Sequence, residues 1–350
     1  EITGEEFANV AGRAGRAFVD VEGLVAHVMY EPLQWRVDHW RGLVASAKSR
    51  ALESGLIQII DEIIRRMTTM GTLAREDAYE FLANAREAWV DPEETRADAD
   101  EDESEDAEDE VDAEPFSHLI EKLDATVIGL VEALDADAAD LPRLLDEALL
   151  GSLWARQMAR REETDAAWHR FLLASRARLI WNHSTALQRR GHFAMGVGLD
   201  TGLILDGLAD ILIPLIDRAD MAALAGEPDE LADALIELAE RLLAVRPFVP
   251  DRAIPPNWKT ILRAWVSGKP VTAIGTDNMR FIEDAFAYRM VWALEALRAR
   301  RQTLGGESPT IAGGAAAALE TGVPKYQMAM LVRAGLPSRR AAIAAVETTD

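Results

Sequence analysis

From Leu56 onward the chain places apolar residues at helical spacing. Leu56, Ile57, Ile59, Ile60, Ile63, Ile64 and Met67 follow the i, i+3, i+4, i+7 rhythm of one helix face. A second amphipathic pattern runs from Ala74 to Val90. Further helices are predicted near 115–134, 140–160, 164–190, 203–217, 228–245, 256–267 and 277–302, with two or three short ones after them. Glycine and proline punctuate the pattern at Gly191, Gly226-Glu227-Pro228, Pro247, Pro250, Pro255-Pro256, Gly268-Lys269-Pro270 and Gly305-Gly306. The GxGxxxG run from Gly196 to Gly202 follows no strand and reads as a turn between helices. The front of the chain differs. Gly23 to Tyr30 is a nearly continuous apolar run ended by Glu31-Pro32, the pattern of a buried strand. One strand is not a stable domain, so it is expected to close a sheet whose other strands lie upstream of Glu1.

Composition narrows the classes. With 350 residues, 49% of them hydrophobic, the chain can bury a sizeable core, in about two domains. It has no cysteine, which excludes disulfide scaffolds, thiolate metal sites and cysteine nucleophiles. No apolar run reaches the roughly 18 residues of a membrane span, and the acidic start does not resemble a secretion signal. The expectation is a soluble, cytoplasmic chain, shortened at its N-terminus and without a membrane partner.

The net charge of −23 changes meaning once it is located. Asp91 to Glu114 holds fifteen acids and one base, Arg96, so −14 sits there and the other 326 residues share −9. Such a tract has too few apolar side chains to offset its ordering entropy and is expected to be disordered. A solvated insertion is the simplest reading; a metal chelator or a nucleic-acid mimic is the sharper one. Deleting Asp91–Glu114 should therefore leave the melting temperature nearly unchanged. If the tract masks a basic groove, nucleic-acid affinity should rise, and the rise should shrink with salt. A large fall in melting temperature would show that the tract is part of the core.

The most specific chemistry lies near the start, in Asn9-Val10-Ala11-Gly12-Arg13-Ala14-Gly15-Arg16. Two arginines three apart, each after a glycine, can bring fixed guanidinium forks to a phosphate while the backbone approaches closely. This stretch resembles motif VI of superfamily-two DEAD/DEAH-type helicases, Gln/His-x-x-Gly-Arg-x-Gly-Arg. The resemblance implies the second RecA-like motor domain, with the arginines facing ATP and Mg2+ held mainly by a first, upstream domain. It makes Arg13 and Arg16 the catalytic, phosphate-contacting residues, with Arg16 as arginine finger. It places Gly12, Gly15 and Asn9 at the nucleotide, Asn9 standing where the family has Gln or His. Looser similarity to helical regions of bacterial members lies in 193–199, 264–270 and 286–292, where core packing explains most of the match.

Other patterns carry less. Leu56 to Glu62 mimics an apolar strand ending in Asp-Glu, but its helical period makes it a helix. No GxxxxGK[ST] phosphate loop occurs in the chain. The six histidines show no paired metal-ligand spacing, His27 and the Trp35/Trp40 pair read as packing, and no metal site is expected. Arg156 to Arg190 is different: eight arginines against three acids, with Trp168, Trp181 and His183 interleaved. Arginine for phosphates and aromatics for bases is the composition of a single-strand channel, and a solvated helix face over core tryptophans explains it equally well. Near the end, Gly335-Leu336-Pro337-Ser338-Arg339-Arg340 resembles a helix-hairpin-helix turn, with Pro337 in place of its second glycine.

Together these readings predict a mainly α chain: the C-terminal end of a RecA-like α/β motor domain followed by a helical accessory module. The expected parts are the motor end at 1–32, a helical connector at 33–90, the acidic tract at 91–114, a helical accessory domain at 115–304 and a small helical end at 305–350. The expected function is ATP-dependent nucleic-acid unwinding or translocation, on DNA in preference to RNA. Arg176, Arg178, Trp181, Arg189, Arg190, Arg339 and Arg340 are the candidate strand contacts. The rival is a non-enzymatic helical adaptor with an acidic tract, which explains the helices but not the Gly-Arg pattern and the strand.

Overall fold

The computed structural model describes residues 33–49, 54–70, 73–84, 116–132, 139–306 and 313–348. Among these the chain is mainly α, and no strand occurs. The Asn9–Arg16 motif, the strand expected at Gly23–Tyr30 and the acidic tract lie outside the described residues. The chain divides into two compact units, Glu1–Ser54 and Gly55–Asp350. In the first unit, α1 (Gln34–Ser49) holds Trp35, expected as packing, at 53% exposure with the Arg36 guanidinium 5.1 Å from its ring centre.

The second unit builds two large cores. The first comes from α2 (Gly55–Met70), α3 (Arg75–Asn84), α4 (Phe116–Val131), α5 (Leu141–Ala148), α6 (Leu153–Met158) and α7 (Glu163–His183). In α2 the apolar stripe Leu56, Ile57, Ile60, Ile63, Ile64 and Met67 is buried, while Gln58 and Arg65 face water. Each such side chain is worth about 1.5–3 kcal/mol of burial, which fixes the helix face far more firmly than propensity does. Asp61 and Glu62, the mimic of a magnesium-binding pair, lie on this helix. Glu62 pairs with Arg65 and Arg66, each at 2.7 Å.

The second core begins with α8 (Ala186–Met195) and α9 (Leu199–Ala225) and continues through α10 (Pro228–Leu242) and α11 (Trp258–Val266). After the short α12 (Val271–Ile274) and a 3-10 turn, one rod runs from α13 (Met279–Phe281) through a π-helical stretch, Ile282–Met290, into α14 (Val291–Thr303). α15 (Gly314–Thr321) closes this core. With α16 (Tyr326–Arg333) and α17 (Arg339–Glu347) it also builds a small third cluster around Val323, Met328, Ala329 and Ala342.

Element boundaries moved where side-chain capping outweighed periodicity. The helix expected at 140–160 splits because Ser152 starts a new one, its hydroxyl accepting from Ala155 N–H at 3.4 Å. The helix expected at 164–190 splits at Thr185, where Thr185 and Gln188 form a reciprocal capping box. Gly191, expected as a breaker, lies inside α8 against the Arg300 side chain. α9 runs through Pro214; both Pro214 and Asp210, whose carbonyl loses its partner, face water. The Gly196–Gly202 turn is as expected: Gly196 caps α8 and Gly198 caps α9.

Candidate nucleic-acid interface

The basic stretch lies on the end of α6, on α7 and on α8, and the structure sorts its arginines by what already holds them. Arg176 is 1% exposed. Its guanidinium makes a two-pronged pair with Asp124 of α4, at 2.9 and 2.6 Å, and donates a third bond to the Leu82 carbonyl of α3 at 3.0 Å. It is a clamp among three helices, and no face of it is left for a phosphate. Arg161 pairs with Asp61 and Asp165. Arg170 is exposed, with Glu163 at 4.0 Å.

Arg189 is 4% exposed. Its guanidinium carbon lies 3.7 Å from the centre of the Trp181 ring, and Nη1 donates to the Ser184 carbonyl at 2.6 Å. Burial pulls its pKa below the ordinary arginine value. The Trp181 ring itself packs against the first core. The pair thus holds the α7–α8 corner, and the face of Trp181 that a base would stack on carries Arg189.

Four arginines of the stretch are exposed and, among the described residues, have no carboxylate partner: Arg156, Arg160, Arg178 and Arg190. Arg178 sits one turn before Trp181, on the same side of α7. Arg190 follows Arg189 on α8. Arg178 and Arg190 are sequence neighbours of the Trp181–Arg189 pair, whereas Arg156 and Arg160 precede the other end of the 21-residue α7.

The second candidate site, at the end of the chain, is also divided. Arg339 lies 4.1 Å over the Trp265 ring and donates to the carbonyls of Gly322, at 3.1 Å, and Lys269, at 2.9 Å. A Cβ at Gly322 would collide with both the guanidinium and the indole, so this glycine is required for the close approach. Arg340 is exposed and, among the described residues, unpaired. The turn resembling a helix hairpin has spent its first two amides: Gly335 N–H donates to Val332 O at 3.0 Å and Leu336 N–H to Leu331 O at 3.1 Å. Pro337 adds none, and Ser338 caps α17 with its hydroxyl. Arg340 is therefore the one arginine of this turn whose side chain faces water.

The sequence reading missed a buried polar network in the first core. His169, fully buried, meets Asp61 through Nε2 at 3.0 Å and the Asp165 carbonyl through Nδ1 at 2.9 Å, with the Tyr79 hydroxyl at 3.2 Å. Burial opposes ionisation of Asp61, but hydrogen bonds from His169 and Arg161 outweigh it and hold its pKa at about 2. Asp61 and His169 are 108 positions apart, a distance over which spacing carries no signal. Among the described residues no group of three or more His, Asp and Glu side chains is placed to hold a metal ion, and no helix is long and apolar enough to cross a membrane. Asn9, Gly12, Arg13, Gly15 and Arg16 lie outside the described residues. No family model and no curated protein matches the chain.

Proposed function

We propose that this chain is the C-terminal part of an ATP-dependent superfamily-two helicase or translocase, and that its helical unit grips a single nucleic-acid strand. The observation that carries the motor reading is the Gly12-Arg13-Ala14-Gly15-Arg16 pattern, because a guanidinium fork suits charge developing on a transferred phosphoryl group. ATP and Mg2+, held mainly by an upstream domain, would supply the scissile phosphate and its charge neutralisation. Arg16 would act as the finger and Arg13 as its neighbouring phosphate contact, with Gly12, Gly15 and Asn9 shaping the loop at the nucleotide.

The grip rests on the exposed Arg178 and Arg190 at the α7–α8 corner, with Arg156 and Arg160 before the start of α7 and Arg340 near the chain end as further exposed arginines that have no carboxylate partner among the described residues. Contacts from guanidiniums to phosphates follow a backbone without reading its sequence, as a translocating motor needs. DNA is favoured over RNA as the substrate. Arg176, Arg189 and Arg339 would support the fold beneath these contacts.

The test is Arg178→Glu combined with Arg190→Glu, two exposed substitutions that leave the buried clamps untouched. Single-strand affinity should fall at least ~10-fold for all sequences alike. The log–log salt slope should flatten by about 1.4, two contacts at roughly 0.7 each. Circular dichroism should be unchanged. Unaltered affinity and slope in the folded variant would remove the α7–α8 face as the strand contact.

A further inference from the structure

The two large cores meet where α4 packs against α8 and α9, and the short link between those two helices lies at this junction. α8 ends at Gly196, α9 starts after Gly198, and Val197 between them is buried in the second core. Leu199, the first residue of α9, is buried in the first. Helix α4 of the first core reaches across to this link. Glu121 Oε1 accepts a hydrogen bond from Gly198 N–H at 2.5 Å. That amide is one of the donors a helix start leaves unsatisfied, and α9 has no side-chain cap of its own. The fit is close. A Cβ at Gly198 would lie 2.8 Å from Glu121 Oε2 and 3.0 Å from Asp124 Cβ, so only glycine lets the carboxyl group in.

The charged groups around this carboxyl group are mostly of its own sign. Asp124, on α4, is 3% exposed and uses both oxygens on Arg176 of α7. Asp200 lies in the first turn of α9. Thr201, next to it, donates its hydroxyl to the Arg246 carbonyl at 2.7 Å. Lys122, adjacent on α4, is exposed, and His118 one turn back is half-buried. The nearby guanidinium, Arg176, is already matched by Asp124.

We propose that Glu121 is a proton-operated latch on the α8–α9 link: neutral, it fastens the two cores together; ionised, it strains and loosens their joint. Burial is the largest influence on it, and with Asp124 and Asp200 it raises the pKa from 4.5 to about 7. The Gly198 amide opposes that rise without cancelling it. A carboxyl group whose folded pKa lies above its unfolded value contributes stability that is complete below about pH 4.5. That stability is lost as the pH rises through about 7. The latch is therefore half-engaged near neutrality, and it stands independently of the helicase reading.

The test compares the 350-residue chain with Glu121→Gln, a neutral side chain of the same shape that can still accept from Gly198. Between pH 5.5 and 8.5 the wild-type melting temperature should fall by about 5 °C relative to the variant. The glutamate-labelled wild type should show one carboxyl carbon titrating near pH 7, and this signal should be missing from Glu121→Gln. Hydrogen exchange at the Gly198 amide should accelerate above pH 7 by more than the intrinsic rate. Melting curves that move in parallel across the pH window, or no Glu121 carboxyl titration above pH 5.5, would overturn the latch. Should Glu121→Gln fail to fold, the carboxyl titration and the Gly198 exchange in the wild type decide the matter alone.

Discussion

On the proposed motor function, replacing Arg16 by Ala in the full-length protein is expected to lower ATP turnover by about 10³-fold or more, with nucleotide binding largely retained. A supplied arginine finger stabilises charge that appears only as the phosphoryl group transfers, so its loss falls on turnover and not on ground-state affinity. In barrier terms this is about 4 kcal/mol. Arg13→Ala should also reduce turnover, with a larger share of its effect on nucleotide affinity. Steady-state hydrolysis, read alongside a nucleotide-binding titration on the same preparation, separates the two. Turnover within a few-fold of wild type in Arg16→Ala would remove the finger assignment and, with it, the main support for the motor reading.

The helices were legible because burial enforces their period. The α2 stripe from Leu56 to Met67 and the punctuation at Gly196 and Gly226 are local signals, and the chain follows them. What escaped was decided by hydrogen bonds. Thr185 and Gln188 end one helix and begin another at Asn182-His183-Ser184-Thr185, weak helix formers that the periodic reading ran through, because a reciprocal cap satisfies donors that periodicity does not count. The helix expected at 203–217 does run through Pro214, whose missing bond faces water in α9, but it continues to Ala225, held by the core on its other side.

The candidate strand-binding surface was legible only as charge. Counting eight arginines between Arg156 and Arg190 marks the region but treats all of them alike. Exposure divides them, and exposure depends on partners far away in sequence: Asp124 lies 52 positions from Arg176, and Asp61 lies 100 from Arg161. The same holds for Glu121, whose role depends on the Gly198 amide 77 positions on. A glycine after a helix cap reads as a turn, and nothing local says that a carboxyl group from another helix occupies the space its missing Cβ leaves.

Arg176 is where these two kinds of information part most sharply, and it carries the largest expected effect on stability. By composition it is a strand contact; by geometry it joins α3, α4 and α7. Arg176→Ala leaves the Asp124 carboxylate buried without its partner, and breaking such a pair from one side costs about 3–5 kcal/mol. Asp124→Ala should cost a similar amount, since the buried guanidinium would lose its carboxylate partner. Replacing both with apolar residues of similar volume, Arg176→Met with Asp124→Leu, should recover most of the loss, because neither charge then needs a partner. Urea unfolding of the two single variants and the double variant forms the cycle, and the coupling should be at least ~2 kcal/mol, the upper part of the range for residues in one network. Single variants that each lose less than about 1 kcal/mol would mean that water reaches the pair. Strand affinity adds a second check: the folded Arg176→Met/Asp124→Leu protein should bind single strands as the wild type does, and a loss of affinity in it would return Arg176 to the list of phosphate contacts.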